Sequence, residues 1–180
     1  MRMSLSTRAI AGIAGVVVVG AASLGTGIYW ANDAGKPREN VATMVVGTSS
    51  TTAAPFCYND GKPLDNDALS ACLEGIKQAR KDGKLPELDV RASDQIGVGV
   101  PKDLAKKGWF ALTNGGSGGQ TALAGGAQGE VVTGVTYSGS KSAGPLMSSN
   151  DVTSVTVVSQ DKTSQEYYAV WAFDLKNKNS

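Results

Sequence analysis

The chain contains no histidine. Zinc and copper catalytic sites take most of their ligands from imidazole, and Ser and Cys nucleophiles usually take their base from it, so those chemistries are largely closed. Cysteine is scarce, with 2 among 180 residues. Two thiols alone cannot complete a tetrahedral metal site. Long charge runs are also missing, since Lys106-Lys107 and Arg80-Lys81 are the longest basic ones. Both runs read as solvated faces. Setting aside Arg2 and Arg8 leaves 15 basic against 16 acidic residues, a net charge of about minus one. Nucleic-acid binding rests on phosphate neutralisation, so it is not expected, and neither is adhesion to an anionic membrane surface. No catalytic residue, metal ligand or cofactor is predicted.

What the chain does have begins at residues 9–30, an uncharged stretch that follows Arg2 and Arg8 and ends on Tyr29-Trp30. At 1.5 Å per residue a helix of this length reaches roughly 33 Å, enough for a hydrocarbon core of about 30 Å. It reads as a transmembrane signal-anchor behind a cytoplasmic n-region, residues 1–8. A cleavable signal peptide is the alternative, with Gly20-Ala21-Ala22 as the small residues before a cut. The continuation from Leu24 to two interface-favouring aromatics favours the anchor. Lys36 and Arg38 lie just beyond the segment, so charge alone does not orient it. Residues 31–40 form a tether, residues 41–176 an extracytoplasmic domain and residues 177–180 a tail.

Cys57 and Cys72 read as a disulfide, because neither has an imidazole to activate it and metal is excluded by count. The bridge closes a loop of about 15 residues, for which chain entropy gives roughly 3 kcal/mol. It persists only outside the cytoplasm. The domain is therefore expected outside, and the protein in the cell membrane as a single-pass chain, or secreted if the segment is cut.

Along the domain, residues 41–46 read as a strand and residues 47–55, GTSSTTAAP, as a loop. Asn59-Asp60-Gly61 is a turn. Leu69, Cys72, Leu73 and Ile76 recur at i, i+3, i+4 and i+7, the apolar stripe of an amphipathic helix. Asp60, Asp65 and Asp67 lack the spacing of a calcium loop and suit turns and caps. Leu88 and Val90, then Ile96, Val98 and Val100, alternate with polar residues or glycine, predicting two strands. Gly97 and Gly99 on the second admit close approach of another backbone or a ligand, or simply local twist. Pro101 opens a helical turn over residues 102–107, and residues 109–113 form a strand.

Residues 114–129, NGGSGGQTALAGGAQG, read as a mobile loop without phosphate-loop spacing. Val131, Thr133, Val135 and Tyr137 alternate as a strand, and residues 138–150 form a loop. Ser140-Lys141 on that loop lacks the fixed geometry of a catalytic pair. A closing hairpin spans residues 152–159 and 166–175. Its last strand sets Tyr167, Ala169, Trp171, Phe173 and Leu175 on one face, with Trp171 and Phe173 as core anchors.

Seven strands and one short helix predict a mainly β fold, an antiparallel immunoglobulin-like or cupredoxin-like sandwich preceded by the membrane helix. The run Cys57-Tyr58-Asn59-Asp60-Gly61-Lys62, with Ala71-Cys72-Leu73, Gly97-Val98-Gly99-Val100-Pro101 and residues 105–109, resembles a family of small actinobacterial secreted lipoproteins of unknown function. The resemblance implies an exported domain with paired cysteines and no assigned activity. The lipid-bearing cysteine is absent, so residues 9–30 would supply the anchor. The function expected is a binding or accessory module of the cell envelope whose partner is a protein, glycan or lipid. The alternative is a carboxylate-dependent hydrolase or lyase. Candidate surfaces are the Gly-rich loop, the loop at 138–150 and the outward side of Gly97 and Gly99.

Overall fold

A computed structural model describes residues 40–178 except 117–118 and 127–128. The predicted membrane segment and all of the tether but Asn40 lie outside the described residues. No helix among the described residues is long and apolar enough to cross a membrane.

The first sheet contains β1 (Ala42–Val46), β2 (Ser49–Ala53), β5 (Gln95–Gly99) and β8 (Lys141–Ser142), in the order β2-β1-β5-β8. The second contains β3 (Cys57–Tyr58), β4 (Glu87–Val90), β6 (Trp109–Thr113), β7 (Thr121–Ala124), β9 (Val152–Gln160) and β10 (Tyr167–Asn177). Its order is β3-β10-β9-β6-β7, with β4 also pairing β10. The protein is thus mainly β with largely antiparallel sheets. β4 is the exception, lying parallel to β10 from Asp174 opposite Glu87 to Asn177 opposite Val90.

Alternation places Met44 and Val46 of β1, Ile96 and Val98 of β5, and Trp109 and Ala111 of β6 in one core. Ala169, Trp171, Phe173 and Leu175 join them from β10. The two sheets therefore share this core, an arrangement compatible with a sandwich. Both buried indoles find acceptors, Trp109 Nε1 donating to the Val135 carbonyl at 2.6 Å and Trp171 Nε1 to the Asn40 carbonyl at 3.0 Å. The expected face of β10 differs at its start. A bulge between Tyr167 and Ala169 turns Tyr168 into the core and sends Tyr167 to the opposite side.

On that opposite side lies α1 (Asn66–Lys81), capped by Asp65, whose carboxylate accepts from the Ala68 N–H at 2.7 Å. Cys72 and Ile76 bury against Val158, Val170 and Ala172, so α1 forms a third layer. A second helix, α2 (Lys102–Lys107), follows Pro101 as predicted.

Four expectations are corrected. β2 forms inside the stretch read as the loop 47–55, and β7 inside the Gly-rich stretch 114–129. Residues 131–137 make no strand. Val132 bridges Trp109 and Tyr137 bridges Gly99, with Gly134 at φ 74° between them, so the segment touches two different strands and forms none of its own. Finally, the loop at 138–150 contains β8 and a 3-10 turn, Gly144–Leu146, which buries Leu146, while Ala143 just before it is also buried.

Candidate functional site

The expected disulfide is present, joining Cys57 on β3 to Cys72 in the middle of α1 with Cα atoms 5.9 Å apart. It fastens the helix over the β3-β10 side of the second sheet. The outer face of β9 and β6 is left partly uncovered beside it. Two adjoining cavities of about 320 and 330 Å³ lie there, sharing Leu73, Arg80 and Thr156. Together they form a shallow trough with α1 as one wall.

Its apolar surface comes from Phe110 and Leu112 on β6, Val158 on β9 and Leu73 on α1. Leu73 was expected on the buried stripe but is 42% exposed. It stands at the stripe's edge, where the helix overhangs the open part of the sheet. The polar surface comes from Ser154 and Thr156 on β9 and from Asn114 and Gln120. The Asn114 carboxamide oxygen accepts from the Ser154 N–H at 2.7 Å, which fixes its orientation and leaves its NH₂ available. Among the described residues, neither the Ser154 nor the Thr156 hydroxyl makes a hydrogen bond.

Arg80 corrects the reading of Arg80-Lys81 as a solvated run. It stands one turn beyond Ile76, where the apolar stripe meets the sheet, and its Nε donates to Asp174 Oδ1 at 2.8 Å. The Asp174 side chain, on the outer face of β10, is 7% accessible and that of Arg80 30%. Arg80 Nη2 is buried without a partner among the described residues. A cation at that helical spacing was the available signal, since a charge on an apolar stripe requires a counter-charge beneath it.

The surfaces expected from sequence fare differently. The outward side of Gly97 is closed, because a Cβ there would run into the Tyr137 hydroxyl and lie 2.8 Å from the Gly139 carbonyl. Close approach of backbone, one of the readings open for this glycine, is the observed one. Ser140 and Lys141 diverge: the Ser140 hydroxyl meets Tyr137 Oη at 3.2 Å, and Lys141 Nζ donates to the Ala122 carbonyl at 3.1 Å. The Gly-rich stretch contributes Gly119 and Gln120 to the rim of the trough.

Glu130 and Asp161 line a separate pocket of about 340 Å³, with Gln160, Lys162 and Gln165. Asp161 is committed to a turn, accepting from the backbone N–H groups of Ser164 at 2.9 Å and Thr163 at 2.8 Å. Those bonds hold its carboxyl below the usual Asp range, which suits a structural acceptor and not a general acid. Among the described residues, no group of three His, Cys, Asp or Glu side chains could hold a metal ion. No protein family, curated protein or solved structure matches the chain.

Proposed function

We propose that this chain is a binding or accessory module of the cell envelope, held at the membrane by residues 9–30 with its β domain outside, and that the trough beside α1 is its contact surface. The observation that carries this reading is the combination, in one concave site, of exposed Leu73, part-buried Phe110 and Leu112, and hydroxyls without partners among the described residues. Such a mixture of apolar lining and a few oriented polar groups is what ligand sites use. The Cys57–Cys72 bridge supports an oxidising compartment. The shared core supports a sandwich of immunoglobulin-like or cupredoxin-like kind, and the likeness to secreted actinobacterial lipoproteins supports export. A carboxylate-dependent hydrolase or lyase is less well supported, because Asp161 is occupied by its turn.

The test is crosslinking of the full-length chain in intact cells, followed by purification from the membrane fraction. Wild type is expected to bring a stoichiometric envelope component, protein or glycan, and Leu73→Glu to bring far less. Recovery of the chain in the soluble fraction, or without any component in both forms, overturns the proposal.

A further inference from the structure

The trough is electrically balanced. Arg80 is matched by Asp174, and Glu74 on its rim is bonded to Lys77. An anion gains no uncompensated cation there, so acidic ligands have no advantage. Long apolar chains are disfavoured as well, because they would cover the Ser154 and Thr156 hydroxyls and the Asn114 NH₂ without replacing their bonds to water. An added peptide strand is excluded at the floor, where β9 is already paired on both sides, with β6 and with β10. Recognition must come from side chains alone. The polar side chains present are short hydroxyls, planar amides, one guanidinium and, on the rim, the Glu74–Lys77 pair, set around the ring of Phe110 and the exposed Leu73.

We propose that the trough binds a neutral saccharide of one to three units, with a C–H face of one ring lying on Phe110 and Leu73 and its hydroxyls bonded by Ser154, Thr156 and Asn114. Sugars join dense, alternating donors and acceptors to an apolar ring face, and this site offers the complement of both. Arg80 contributes as a positioning residue. Its guanidinium is held by Asp174 and fixes the wall from which α1 presents Leu73. The assignment rests on the trough being the contact surface and names its ligand class.

Two-dimensional NMR of the full-length chain in detergent micelles tests it against defined probes: chitobiose, maltotriose and mannotriose, with laurate and trialanine as comparisons. At least one neutral sugar is expected to shift Phe110, Ser154 and Thr156 saturably at millimolar concentration. Thr156→Val, which removes a hydroxyl at nearly constant shape, should weaken that binding three- to tenfold with an unchanged melting temperature, and Phe110→Ala more than tenfold. Ser154→Ala gives a second reading if Phe110→Ala does not fold. Shifts at these residues with laurate or trialanine and none with the sugars overturn the saccharide assignment while leaving the trough as the contact surface. No shift with any probe overturns the assignment; combined with crosslinking unaffected by Leu73→Glu, it removes the trough altogether.

Discussion

At the scale of single residues, one tight constraint falls on Gly97. Because the Gly139 carbonyl would lie 2.8 Å from a Cβ at position 97, Gly97→Ala must displace backbone and not merely a side chain. A loss of about 1–3 kcal/mol is expected, measured by urea unfolding. Removing the Tyr137 ring as well should restore only part of it, and full recovery would show that the ring was the sole obstacle. Asp161 makes a different prediction. Its folded carboxyl is held below the ordinary value of 3.8 by backbone N–H bonds, so its contribution is complete above that value and is lost as pH falls through the lower, folded one. The amide signals of Thr163 and Ser164 should therefore titrate with a midpoint under 3.8. A midpoint at or above it would mean that those bonds are absent in solution.

At the scale of elements, α1 is fastened to the second sheet at two points, the disulfide and the Arg80–Asp174 pair. Replacing both cysteines by alanine should cost about 3 kcal/mol in equilibrium unfolding. Arg80→Leu leaves a buried carboxylate without its counter-charge. Full burial of such a pair would make the loss larger, but the partly solvated guanidinium brings it to about 2 kcal/mol. Adding Asp174→Leu should return most of that, because the apolar pair removes the unmatched charge. If the double variant is worse than Arg80→Leu, the pair is not the source of the effect. The elements also show what could be read in advance. β10 was legible because Ala169, Trp171, Phe173 and Leu175 alternate against an inner core. β2 and β7 were not, because SSTTA and TALA are short edge strands whose small side chains carry little pattern. The disulfide was legible from count and chemistry, whereas the trough was not. Its walls come from α1, β6 and β9, which only the tertiary fold brings together, and Leu73 is exposed because it stands at the edge of the apolar stripe, over the uncovered face of β6 and β9.

For the molecule as a whole, β10 has a singular place. It is hydrogen-bonded to β9 along one edge and to both β3 and β4 along the other, and its Trp171 reaches back to Asn40. No fragment lacking it can complete the core, so a chain ended at Gln165 is expected to show no cooperative thermal transition by circular dichroism. A sharp transition from that fragment would contradict this. For the export proposed above, this has a consequence. A polypeptide that is threaded through a narrow pore starting from its N-terminus presents β10 after every strand that it joins. Until then β3 and β4 lack the strand they pair with and β9 lacks one of its two neighbours, so the second sheet is incomplete. On the proposed export, the sheet would close only once β10 has reached the far side, and the folded domain would then be too wide to slip back.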